Sequence, residues 1–373
     1  MKVPSHRPGA PAVVSGPAPT RLHSIDALRG FDMFWITGGD VLFRALGTWL
    51  GWEWLHHQME HVPWEGFVFY DVIFPLFILI VGLLLPMSLQ RYAAQPSAAY
   101  PRILRRFVLL LVLGWINWNV LQFDFAEMRW PGVLQRIALC YLFTSMAVLH
   151  LRVRGQAILL GGLLLGYWAL LAFVSAPGFR PYDLSMEGNL VGYVDRLLLP
   201  GKFCCYPYGD NEGLLSTIPA IGTCLIGVLT GTWLMQARPA LEKFRGLLLA
   251  AVACLVVGYA WWPLFPVIKN LWTSSYVLVA AGWGLALVAL FYFVIDIQGA
   301  RRWAFPFVVI GMNAITIYVA QEFIKFDDIS RFFLGGVATL TAGAGPVVIA
   351  LGAIALRYVF LRYLYRNGTF LRV

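Results

Sequence analysis

A chain of 373 residues that is 60% hydrophobic, only 13% charged and of mean hydropathy +0.71 has too little polar surface to cover a soluble fold of its size. That excludes a water-soluble globular enzyme. The net charge of +9 then reads as a membrane-orientation signal rather than the footprint of a nucleic acid, and the fold class it predicts is an all-α, polytopic membrane helical bundle.

In chain order, residues 1–20 are rich in Pro, Ala, Gly and Ser and hold no apolar run of the kind a signal peptide needs. They read as a disordered tail ahead of one transmembrane domain over 21–373. Ten apolar stretches follow, each of roughly the 20 residues that cross a bilayer at 1.5 Å per residue. They fall near 24–46, 66–90, 103–121, 131–151, 156–174, 213–235, 246–263, 271–295, 303–324 and 342–361. With residue 1 inside, the inner segments carry 18 Lys and Arg and the outer ones 7. Both termini are therefore expected to be cytoplasmic.

The first stretch carries Asp26, Arg29 and Asp32 at i, i+3 and i+6, read as one helical face with the cation between two carboxylates, and Asp40 about 16 Å beyond Arg29. A charge at the bilayer centre costs about 2.5–3.5 kcal/mol, so this triplet faces protein or a wet cavity. Asp71 with the Pro75 break, Gln135 and Arg136 after Pro131-Gly132, and Asn313 and Glu322 repeat the theme. Each is helix-to-helix glue singly, and together they imply a shared polar interior.

The outer segment Gly47–Glu65 carries His56, His57 and His61, and Trp49, Trp52, Trp54 and Trp64 belong to the same face. The tryptophans fit an aromatic belt at headgroup depth, with sugar stacking as the functional alternative. His61 is favoured among the histidines because Pro63 and the next span fix its backbone near the membrane surface, where Asp40 emerges. Cys140, Cys224 and Cys254 lie in spans and Cys204 and Cys205 in a long loop; no metal-ligand spacing appears, and the adjacent pair reads as two ordinary loop cysteines.

Six stretches in order, Ser24 to Gly30, His61 to Gly82 with Asp71 to Phe77 inside it, Pro131 to Arg136, Glu212 to Ile218, Lys269 to Tyr276 and Gly311 to Ala314, resemble those of heparan-α-glucosaminide N-acetyltransferase and its bacterial relatives. The resemblance covers nearly the whole chain after the tail. It implies acetyl transfer from cytoplasmic acetyl-CoA to the amino group of a glucosamine-type sugar across the membrane. It also implies that His61, matching the family's essential histidine, carries the chemistry. Animal members place an asparagine at the position of Asp40.

On this expectation His61 is the general base, Asp40 orients its imidazole, and Asn270, Thr273 or Ser274 donates to the oxyanion. Arg29, Arg105, Arg106, Arg301 and Arg302 are the candidate counter-charges for the CoA phosphates, with Gln135 and Arg136 along the donor's path. Asp71, Trp64, Lys269, Trp272, Ser274 and Asn313 are assigned to the acceptor. Direct transfer and an acetyl-histidine route stay open, as does a homodimer. O-acetylation of an envelope glycan or lipid and proton-coupled sugar or lipid transport are the alternatives. An integral protein of a bacterial inner membrane, surrounded by lipid and without a metal, is the expected setting.

Overall fold

A computed structural model describes residues 22–118 and 120–370, so the expected tail over 1–20 lies outside the described residues. The helices are α1 (His23–Phe34), α2 (Asp40–Leu50), α3 (Glu53–Gln58), α4 (Ile73–Leu89), α5 (Tyr100–Asn117), α6 (Val133–His150), α7 (Val153–Phe173) and α8 (Leu190–Leu198). After a two-strand hairpin, β1 (Cys205–Tyr206) and β2 (Gly209–Asp210), come α9 (Leu214–Met235), α10 (Ala240–Trp261), α11 (Ser274–Phe291), α12 (Phe305–Met312), α13 (Ala314–Phe323), α14 (Phe326–Thr339) and α15 (Gly345–Arg366). The protein is an all-α polytopic membrane protein.

Among the described residues seven helices are long and apolar enough to cross a membrane, and α12 with α13, bent by 71°, makes an eighth if taken as one span. All ten expected stretches are helical, but two fall short of a regular apolar span. Stretch 24–46 is broken where Thr37 and Gly38 leave helical geometry, Gly38 at φ 122°. Stretch 103–121 forms α5, whose first turns carry Arg102, Arg105 and Arg106. Helix α14 was not expected; it packs along α15.

The core is built on close helix approach. α4 lies along α9, and α1 along α12. A side chain at Gly227 or Gly231 would strike the backbone oxygens of Leu79 and Leu83, and one at Gly82 that of Cys224. With no water to drive apolar surfaces together inside a bilayer, such small-residue seams let dispersion do it. Across the α1–α12 crossing Gly30 and Gly311 serve the same end.

Of the triplet, the half-buried Asp26 and Arg29 pair at 3.6 Å, whereas Asp32 is fully buried and neither of its carboxylate oxygens has a hydrogen-bond partner among the described residues. The correction is geometric: at 3.6 residues per turn, i+6 lies about 120° round the helix from i. One face cannot hold all three.

Candidate functional site

The segment between α3 and α4 is clamped against the connection between α10 and α11. Glu65 bridges to Ile268, Gly66 N–H donates to the Val267 carbonyl at 3.0 Å, and the Trp262 indole donates to Glu65 at 2.8 Å. These bonds bring His61 on one strand of the clamp to Lys269 on the other. His61 Nδ1 lies 2.8 Å from Asp71 Oδ1, Lys269 Nζ lies 3.2 Å from the same oxygen, and Nζ is 2.8 Å and 3.0 Å from the two ring nitrogens. With Nδ1–H donating to the carboxylate, the lysine donates to Nε2. Asp71 is 0% exposed and Lys269 10%, while the His61 side chain keeps 48% of its surface open. The Tyr70 ring stacks on the imidazole at 4.8 Å.

Burial of His61 disfavours its cation and, with Lys269 acting in the same direction, holds its pKa below the ordinary 6.5 despite the Asp71 hydrogen bond. Burial likewise lowers the Lys269 pKa against the pull of Asp71. A neutral imidazole with an oriented tautomer is the result, which is the state a general base requires.

His61, Tyr70 and Lys269 line a cavity of about 210 Å³. The facing wall holds Arg129, Asn211, Glu212 and Cys205. Arg129 donates to both oxygens of Asp210 at 2.7 and 2.5 Å, to Asn211 at 2.9 Å and to Glu212. Burial pushes the Glu212 carboxyl up, against the opposing charge of Arg129.

A second cavity of about 570 Å³ lies at the other end of α4, where Leu84, Met87 and Ser88 line it together with Arg29, Arg102 and Arg106. The two are joined. A neck of about 20 Å³ shares Phe77, Leu134, Ile137 and Ile315 with the arginine-lined cavity and Ile36, Phe74, Val133 and Tyr318 with the His61 cavity. That volume is close to one water, and its walls are apolar. The passage is polar at its ends and apolar between, not polar throughout as expected, because the intramembrane polar residues face neighbouring helices instead.

Several expected site residues stand elsewhere. Asp40 opens α2 and pairs with Arg44 at 2.9 Å, so Asp71, not Asp40, is the carboxylate on His61. Arg136 is buried against the Trp272 ring at 4.7 Å and donates to the Gly213 carbonyl at 3.3 Å and to Ser216, which places it in the α6–α9 seam. Gln135 is buried where α6 meets Gly114 of α5, its amide without a hydrogen-bond partner among the described residues. Thr273 caps α11, Ser274 donates to the Leu164 carbonyl at 2.7 Å and Trp272 to Thr223 at 3.2 Å; all three are buried and occupied. Trp64 is held by the Leu184 carbonyl at 2.9 Å beside Tyr206. Asn270 is half-buried beside Lys269. Asn313 sits at the α12–α13 break between Met312 and Ala314, which line the arginine cavity, and not beside His61.

Arg29 and Arg106 come together at that cavity. Arg105 is exposed off its wall, Arg302 is exposed too, and Arg301 lines a separate pocket with His23 and Tyr365. Arg102 was missed, although 102 and 106 at i, i+4 share a helical face that 105 leaves. The sequence reading also passed over Arg129, and Glu212 entered it only as part of a motif. Cys204 and Cys205 are not ordinary loop thiols but a disulfide between neighbours.

No family model matches the chain. It is 26% identical to human heparan-alpha-glucosaminide N-acetyltransferase over an alignment of 366 residues that takes in 82% of this chain and 53% of the relative. The mouse protein of the same name is 25% identical, with 82% and 54% covered. The chain is similar to both over most of its own length. It spans about half the length of the curated relatives it matches. Among the described residues no cluster of His, Cys, Asp and Glu has a metal-binding arrangement.

Proposed function

We propose that this protein is a membrane acetyltransferase that takes the acetyl group of cytoplasmic acetyl-CoA and passes it to the amine of a glucosamine-type sugar on the outer side, with His61 as general base. The observation that carries the reading is the pair of cavities joined by a neck and ending at His61, Asp71 and Lys269. Kinship to N-acetyltransferases supports it, and the excess of basic residues on one set of connections supports the orientation, with both termini cytoplasmic.

The residues present fit such a donor. Arg29, Arg102 and Arg106 offer guanidinium groups for phosphates in a cavity large enough for a nucleotide's end. The apolar walls of the small pocket between the two cavities disfavour a charged nucleotide and cost a slender, uncharged chain little. At the outer cavity Asp71 keeps the proton on Nδ1 and so leaves the Nε2 lone pair for the acceptor. The acceptor's amine displaces the lysine N–H from Nε2, and Lys269 keeps its bond to Asp71. His61 then removes the ammonium or attacking-amine proton, and the freed lysine N–H is the nearest cationic donor for oxyanion charge.

Labelled acetyl-CoA supplied to reconstituted protein with a panel of amino sugars and hydroxyl acceptors tests this. Transfer to a sugar amine is expected from wild type, and His61→Ala should lose about 10²–10⁴-fold in rate with CoA binding intact. Label on hydroxyls alone would make the protein an O-acetyltransferase. No label on any acceptor, with sugar or lipid flux present, would make it a transporter.

A further inference from the structure

A disulfide between Cys204 and Cys205 reaches the His61 cavity through Cys205 and has no place in that chemistry. Cys205 lines the cavity and is exposed, at φ 82°, a backbone region that a non-glycine residue rarely adopts. It is paired in the hairpin with Asp210, and the Cys204 N–H donates to Asp210 Oδ2 at 2.9 Å. Asp210 in turn holds Arg129, and the start of the same loop is tied to that arginine by the Arg129–Gly201 bridge. A covalent ring therefore sits at the point where the loop sets a cavity-lining guanidinium.

We propose that the Cys204–Cys205 pair is a redox-reversible positioning element of the acceptor subsite, closed when it holds Asp210 on Arg129 and loosened by a dithiol reductant. The proposal rests on the acetyltransferase reading for its substrate. In the reaction the S–S bond breaks, each sulfur takes one electron and one proton from the dithiol, and the reductant leaves as its own cyclic disulfide. The open pair no longer constrains Cys205 to its left-handed conformation, and the hairpin relaxes away from Asp210. The donor cavity lies beyond the neck and is untouched.

The test uses the full-length protein in lipid nanodiscs, with the state of the pair read by thiol alkylation and mass spectrometry. Complete reduction should raise the acceptor KM about tenfold, the loss of roughly one charge-assisted hydrogen bond, with kcat and CoA affinity unchanged. The Cys204→Ser/Cys205→Ser double variant should start at the raised KM and ignore the reductant. A KM unmoved by full reduction, a kcat that falls in its place, or unpaired thiols in the oxidised protein would each overturn the proposal. If the protein transfers no acetyl group at all, the enzymatic reading fails by itself. Hydrogen exchange over residues 200–212 then decides the coupling: faster exchange on reduction supports it, and unchanged exchange overturns it.

Discussion

At His61 one imidazole serves two partners of opposite charge, and their balance sets its working range. Lys269 resists a second positive charge beside it, whereas Asp71 welcomes one. Only the neutral ring accepts a proton, so the rate should rise with pH through a midpoint below 6.5. Lys269→Gln removes the repelling charge, raises the imidazole pKa and should move that midpoint to higher pH, read as the difference between the two pH–rate profiles. Asp71→Asn keeps the shape and removes the anchor for Nδ1–H; kcat should fall by about 10²–10⁴-fold while CoA affinity holds. An Asp71→Asn enzyme of near-normal kcat would show that the imidazole is oriented by something else. His61 was legible because its backbone lies beside a proline at a span's mouth. Its partner was not, since Asp71 reads as a residue inside a span and Asp40 as one emerging at the outer face, and only the fold sets Asp71 on the ring and Asp40 on Arg44.

Among helices, stability concentrates where backbones touch. Gly227 faces the Leu79 carbonyl, so Gly227→Leu has no room and should cost about 1–3 kcal/mol or more. Gly161 on α7 meets nothing, and Gly161→Ala should hold or gain up to about 1 kcal/mol through helix propensity. Thermal melts of the two variants in one detergent check the contrast, and equal midpoints would dismiss the seam. Helix existence was readable from apolar length at all ten stretches. Breaks were not, because neither Thr37-Gly38 nor Asn313, where the chain bends by 71°, carries a proline.

For the molecule as a whole the arrangement is two polar chambers on one apolar neck. Val133 lines the neck and the outer chamber, so Val133→Trp should obstruct the reach of the acetyl group; a misplacement of about 1 Å already costs about 10²-fold in rate. CoA affinity, set in the other chamber, should stay level by calorimetry. Transfer at the wild-type rate would mean that the acetyl group travels another route. Charge and composition announced a cationic inner face, but which arginines share a chamber depends on how α1, α5 and α13 meet. That is why, of the expected arginines, Arg29 and Arg106 meet at the cavity while Arg105, Arg301 and Arg302 stand apart from it, and why Arg102 was missed.

The apolar neck has a consequence for the bilayer that surrounds it. A hole through a membrane is a liability, because hydrated ions discharge the voltage across it. Hydrophobic constrictions of this width shed their water, and a dewetted gap is an electrical insulator. On the proposed reading a group without charge crosses where sodium and hydronium cannot, and acetyl transfer between the two compartments would carry no leak current.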